Sequence, residues 1–471
     1  MQPANRYAVL ALAVASMFIA IVDFTIVNVS LPRMAGDLKL GEDSLQWVII
    51  GYGLSFGGLL LLAGRLGDLV GRRLTLQLGL GIFAAASLTA GLSGSSGQLI
   101  AARVVQGIGA ALITPSALGI VADTFKAGKD RETALGIYGA IAGTAASVGV
   151  LGGGFLTDGP GWSWIFYVNV PIAVTLVALT LVVLPQNVIA HPEGRLDPRS
   201  ALAITGGLVS GLYALNHGVV HGWGTSGTLI WAAVGVVLSL AFFLSERRTK
   251  SPLVPRSLLR NGPVVQANLA AAAGFGSFLA FVFLTSVMMQ QLLGYSPTKT
   301  GLAWLFTTVA AFFFAGLTGA VLAQKVGVRV LLGAASVLLV AAAAWLAFLP
   351  AHASFGRVIP ALIAAGIAVG FYAPSVQIGA LTDVEETDFG AASGAVETSR
   401  ELGGAVVIAA ASSVLLGSHT GLLHGVHGAY LVIAIGAGLG VLASVLRIKS
   451  RQPDPLDGLV PADPALQRAT P

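Results

Sequence analysis

The stretch GRLGDLVGRRLTL, residues 64–76, sets four charged residues between two apolar segments. A second stretch, AVLAQKVGVRVLL at residues 320–332, sets two charged residues, Lys325 and Arg329, between apolar segments. The pattern Val-Gly-x-Arg recurs at residues 70–73 and 326–329. A repeat this far apart points to a chain built from two related halves, a form of internal symmetry found in membrane bundles.

Working outward from the two turns, windows of about 20 mostly apolar residues, the length a spanning helix needs, recur along the chain. Fourteen qualify: residues 7–30, 44–63, 74–93, 99–121, 134–156, 163–184, 200–217, 227–245, 264–290, 300–323, 328–350, 358–379, 390–416 and 428–446. The seventh is short and Gly-rich. The repeat pairs windows 1–6 with windows 9–14 and leaves windows 7 and 8 as a central insert. The expected organisation is an N-terminal six-helix bundle (1–190), a linker with two inserted helices (191–260), a C-terminal bundle (261–450) and a tail (451–471).

Composition agrees. The chain is 55% hydrophobic and 10% charged, against roughly 25% charged in soluble domains. Mean hydropathy is +0.84. With both termini inside, 20 of the 26 Lys and Arg residues fall on the cytoplasmic side, as the positive-inside rule requires. The first window follows a single Arg and has no small-residue cleavage site after it, so it reads as an uncleaved first helix.

No cysteine is present, which excludes disulfides, thiolate metal sites and a cysteine nucleophile. The Gly-rich run GVLGGG, residues 149–154, lacks the following Lys-Ser/Thr of a phosphate loop. No basic patch suits nucleic acid, and no residue set suggests a metal or cofactor. His419, His424 and His427 cluster without matching acids, so they read as solvated loop residues. DVEETD, residues 383–388, reads as a solvated acidic turn or a partner for nearby Arg residues.

A charge at the centre of a spanning helix costs about 2.5–3.5 kcal/mol on insertion scales, so such residues pair or face an aqueous cavity. Asp23, Arg103, Glu397, Arg400 and Glu401 are the candidates. At about 1.5 Å per residue, Asp23 lies roughly 24 Å along the first helix from the inner edge. Arg103 lies about 6 Å from the outer edge on the fourth. Both depths fall in the outer half of a core about 30 Å thick, so the two can pair. Glu397 and Glu401 share a helix face with Arg400 beside it, a second proton or cation site or else charges near the inner interface.

Six motifs in register resemble the major facilitator superfamily, specifically its fourteen-helix drug:proton antiporters of the QacA/EmrB type. They are DFTIVNVSLP (23–32), GRLGDLVGRR (64–73), LIAARVVQGIGAALITPS (99–116), WSWIFYVNVPI (162–172), LGYSPTKTGLAWL (293–305) and SRELGGAVVIA (399–409). The resemblance covers almost the whole chain. It implies an all-α integral membrane fold of two six-helix bundles plus two extra central helices. It further implies a monomeric, proton-coupled exporter of amphipathic small molecules in the bacterial plasma membrane, with no cofactor and no enzymatic activity. Two positions depart from the pattern. Val150 stands where the fifth helix usually has Pro, which leaves a symporter or a lipid or metabolite exporter as alternatives, and Glu397 stands where a neutral amide is usual. An integral membrane enzyme or a non-transporting sensor is the remote alternative.

The resemblance assigns Arg103 to proton coupling and makes the first and fourth helices cavity-lining. Asp23 then exchanges a proton for substrate while Arg103 holds its charge, unless the two form a fixed structural pair. Gln106, Tyr52, Met289, Gln290, Tyr372 and Gln377 are candidates for the substrate cavity, or else simple packing. Gly64, Arg65, Gly67, Asp68, Gly71, Arg72 and Arg73 form a cytoplasmic gate latch in this family. A basic turn that only fixes topology is the plain alternative. The equivalent position in the other half is Gln324, so a second latch lacks its acid. Gly139, Gly143, Gly152 and Gly153 on the fifth helix allow close helix packing.

Overall fold

The computed structural model describes residues 3–445 apart from 40–41, 127, 185–196, 248, 250–251, 351–352 and 419–420. The tail expected at 451–471 therefore lies outside the described residues, as do the surroundings of Gly143 and the side chain of Val150. The described chain is helical, with no strand.

Among the described residues fourteen long helices follow the fourteen apolar windows. They are α1 (Pro3–Asp37), α2 (Glu42–Val70), α3 (Arg72–Gly91), α4 (Ser96–Thr124), α5 (Lys129–Asp158), α6 (Trp164–Val183) and α7 (Pro198–His221). Then come α8 (Ser226–Glu246), α9 (Gly262–Leu292), α10 (Pro297–Leu317), α11 (Val328–Ala347), α12 (Phe355–Ala380), α13 (Phe389–Leu416) and α14 (Leu422–Val445). Among the described residues twelve helices are long and apolar enough to cross a membrane; α5 and α7 are not in that set. The α7 sequence is interrupted by Gly, Ser, Asn and His. Several α5 side chains fall outside the description.

Local chemistry sets the ends. Ser95 caps α4 by accepting the Gln98 amide at 3.4 Å. Asn261 caps α9 by accepting the Val264 amide at 3.2 Å, and Ser296 caps α10 through the Lys299 amide at 3.2 Å. Pro follows within two residues of both caps, where its missing N–H costs nothing. α6 is two pieces, Trp164–Tyr167 and Asn169–Val183, with Pro171 just after the break.

Apolar packing groups the rods. Leu60, Leu80, Phe83 and Ile113 lie in a core of the first six helices. Phe281, Leu339, Leu346, Tyr372 and Tyr430 lie in the core of the last six. A further cluster joins the two sets, with Met17, Leu118 and Tyr138 against Ile378, Leu381 and Phe389. The α7–α8 hairpin buries Ile204, Leu208 and Phe242 against Leu61 and Leu62 of α2 and Leu402 of α13.

The repeated turns share one geometry. Gly71 and Gly327 start α3 and α11 at φ 102° and 88°, a left-handed conformation that favours glycine. Arg73 then donates to the Leu184 carbonyl at 3.0 Å, at the end of α6. Arg329 donates through Nε to the Ser444 carbonyl at 2.6 Å and also to that of Val445, at the end of α14. Each repeat thus directs its Arg to backbone carbonyls in or next to the last described turn of the sixth helix of its own half.

Candidate coupling site and gate

Asp23 on α1 and Arg103 on α4 meet, with Arg103 Nη1 at 2.5 Å from Asp23 Oδ2. Both residues are 0% exposed. The pair does not stand alone. Gln106, one turn below Arg103, accepts from Arg103 Nη1 at 2.7 Å and donates to Asp23 Oδ1 at 2.8 Å. Its amide nitrogen also donates to Ser87 of α3 at 2.8 Å. Asn169 of α6 donates to Asp23 Oδ1 at 2.7 Å. Arg103 Nε donates to the Val48 carbonyl of α2 at 3.2 Å, and its guanidinium lies 4.3 Å from the centre of the Tyr52 ring. Tyr52 in turn donates to the Ala20 carbonyl at 3.0 Å. Six side chains from five helices thus form one buried network. Charges in so apolar a setting persist only when paired and hydrogen-bonded.

Ser87 and Asn169 are partners that charge reasoning did not find. A neutral amide or hydroxyl in an apolar run leaves little trace in a hydropathy scan. The available signal was WSWIFYVNVPI, where Asn169 sits within a recognisable motif.

The second cluster lies on α13. Arg400 Nη2 is 2.6 Å from Glu397 Oε2 and 3.2 Å from Glu401 Oε1, so one base serves two acids. Gln377 of α12 donates to Glu397 Oε1 at 3.0 Å. The Glu397 side chain is 2% exposed, whereas that of Glu401 is 26% exposed. Arg400 also lies 5.4 Å from the Phe275 ring centre. A buried acid and a partly exposed acid thus share one base.

The remaining cavity candidates are mostly buried. Gln106 and Tyr52 belong to the Asp23 network. Met289 and Tyr372 are 0% exposed within the core of the last six helices. Tyr372 bonds to Ser336 of α11. Gln290 is exposed beside Met289.

The turn between α2 and α3 reaches the other half. Asp68 accepts from Arg72 Nη2 at 2.8 Å and from the backbone amides of Gly390 and Ala391 at 3.0 and 2.9 Å. Gly390 and Ala391 begin α13, so the carboxylate sits on a helix N-terminus, where anions are favoured. Arg72 also bonds Asp123 of α4, and donates to the Glu386 carbonyl at 2.8 Å. Arg65 lies 3.6 Å from Asp388, and Arg131 lies 3.9 Å from Glu386. The acidic turn at residues 383–388 is therefore a partner for Arg residues of the first half. Gln324 is exposed, so the repeat does not reproduce the acid here.

Glycines make this contact possible. A Cβ at Gly64 would collide with the Gly390 backbone, and one at Gly136 of α5 would collide with Gly319, just past α10. Gly139 meets Pro374 of α12, with a Cβ placed there 2.8 Å from the Pro374 nitrogen. Gly153, by contrast, packs within its own half, against Ile26 of α1, as does Gly152 at ordinary contact distance. Gly67 faces Arg72 and Ser116.

Comparisons with known proteins agree with this architecture. The sequence profile of the Major Facilitator Superfamily matches residues 13–408. The puromycin resistance protein pur8 of Streptomyces alboniger is 35% identical over 94% of this chain and 90% of its own length. The cephamycin export protein CmcT of Amycolatopsis lactamdurans is 32% identical over 98% and 93%. The multidrug resistance protein Stp of Mycobacterium tuberculosis is 32% identical over 87% and 76%. The crystal structure of the human organic anion transporter MFSD10 (TETRAN) superposes with a TM-score of 0.63 at 18% identity, over 94% of this chain and 99% of that one. The chain belongs to the Major Facilitator Superfamily and is a multi-pass membrane transporter, not an enzyme.

Proposed function

We propose that the protein exports amphipathic small molecules, antibiotics among them, in exchange for protons across the bacterial plasma membrane, with both termini cytoplasmic. The two halves, residues 1–190 and 261–450, rock about a site between them. The observation that carries this reading is the buried Asp23–Arg103 network. A titratable acid held by a permanent cation, deep in a transporter, can give up its partner when substrate or helix motion separates them, and then take a proton. The relatives named for puromycin resistance, cephamycin export and multidrug resistance support antibiotic cargo.

In this reading Glu397 and Glu401 form a second proton or cation site, and the contacts of Asp68, Arg72 and Arg65 latch the cytoplasmic gate. The structure is then closed on the cytoplasmic side. The test uses purified protein in liposomes. Substrate-driven proton flux is expected in the wild type and lost in Asp23→Asn. Undiminished coupled flux in Asp23→Asn would remove Asp23 from the proton path. A thermal-shift screen of antibiotics, dyes and biocides at two pH values supplies the substrate.

A further inference from the structure

Arg103 is one of three groups that hold Asp23. The orientations of the other two are fixed by their surroundings. Asn169 Nδ2 lies 2.7 Å from Asp23 Oδ1 and 3.3 Å from the Ile165 carbonyl. Both neighbours are acceptors, so the amide nitrogen must face them. Gln106 Nε2 faces Asp23 and Ser87 while its oxygen accepts from Arg103, which fixes that amide as well. Every group bonded to Asp23 is therefore a donor. An ionised carboxylate only accepts, whereas a protonated one must also donate. The network as built suits only the ionised form. The titratable and charged groups around Asp23 are Arg103 of α4 and Tyr52 of α2, with Glu401 of α13 beyond Tyr52. α3 and α6 add a hydroxyl and an amide.

Asn169 differs from the other donors in its position. It lies in the early turns of α6, with Pro171 two residues later. Its second bond, to the Ile165 carbonyl, reaches back one turn along the same helix. The same side chain thus ties the first turns of α6 to Asp23.

We infer that Asn169 is a positioning residue of the coupling site, holding Asp23 in its ionised form and linking that form to the first turns of α6. Protonation of Asp23 then requires one of its donors to become an acceptor, and rotation of the Asn169 amide supplies one by presenting its oxygen and releasing Ile165. This inference rests on the role proposed for Asp23, and its test separates the two.

Infrared titration of the substrate-free full chain follows the carboxyl band that disappears in Asp23→Asn. In Asn169→Leu, which lacks the donor, the band is expected to titrate about one pH unit higher than in the wild type. Asn169→Gln, which keeps an amide, should return the midpoint toward the wild-type value. An unchanged midpoint in folded Asn169→Leu overturns the inference. If Asn169→Leu does not fold, Asn169→Gln and Asn169→Ser are compared instead, and identical wild-type midpoints in both overturn it. Absence of substrate-driven proton flux in the wild type would instead sink the coupling role of Asp23, and leaves the infrared comparison standing.

Discussion

Asp68 and Gly390 belong to opposite halves of the molecule, and the Asp68 carboxylate accepts the Gly390 amide at 3.0 Å. The bond places a negative charge on the N-terminus of α13, which carries Glu397, Arg400 and Glu401 two to three turns further on. One helix thus carries both the Asp68 contact and the second charged cluster.

Asp68→Asn keeps the size of the side chain but removes the charge. Arg72 retains Asp123 as a partner, so the fold should survive. The latch loses a helix-terminus interaction worth up to about 2 kcal/mol when partly buried. Transport is expected to fall at least tenfold, with expression and thermal stability close to wild type. Normal transport by this variant would show that the bond is dispensable.

The Gly136–Gly319 contact gives a steric version of the same test. Gly136→Leu cannot form the closed face, because even a Cβ meets the Gly319 backbone. The chain has no cysteine, so a single cysteine at Ala140 can report access from the basic face. Faster labelling is expected in Gly136→Leu, and equal rates would place the closing contact elsewhere.

The buried pair should respond asymmetrically to mutation. Arg103→Ala leaves Asp23 charged without its cation, a loss of about 3–5 kcal/mol for a buried pair. Asp23→Asn/Arg103→Gln removes both charges and should recover most of that loss while coupling stays absent. Thermal unfolding in detergent measures this. Equal stability of Arg103→Ala and the double variant would mean that the pair is not electrostatically dependent.

Different parts of this arrangement were legible in the sequence to different degrees. The rods were visible because lipid demands long apolar runs. Asp23 and Arg103 stood out because charge is costly there, and a rise of about 1.5 Å per residue brought them to one level. Asn169 and Ser87 did not stand out, since their cost in an apolar helix is small. The role of Gly139 depended on its neighbour. On α5 it meets Pro374 of the other half, while Gly153, further along the same helix, stays within its own half. Spacing alone cannot distinguish these cases, because each depends on which helix tertiary packing brings alongside. The acidic turn was ambiguous for the same reason until Arg65, Arg72 and Arg131 were seen to reach it.

The inserted hairpin lies along the seam between α2 and α13, and this makes a final prediction. The cluster that includes Ile204 and Leu208 of α7 packs against Leu61 and Leu62 of α2 and Leu402 of α13. Further along, Tyr213 stacks on Trp47 of α2, with ring centres 5.7 Å apart. Beyond the end of α7, Trp223 donates to Ser413 of α13 at 2.8 Å. A helix fastened to both α2 and α13 is placed to shield their contact from lipid. Gly58 is a point of close approach, since a Cβ there would lie 2.5 Å from Val209 Cγ2. Gly58→Leu should therefore push α7 outward, at an overpacking cost of about 1–3 kcal/mol. A cysteine placed at Leu402 should then react faster with a membrane-soluble maleimide, while its reaction with a membrane-impermeant reagent stays the same. If neither rate changes in folded Gly58→Leu protein, α7 does not cover the seam, and the hairpin serves only to fasten the two halves at its ends.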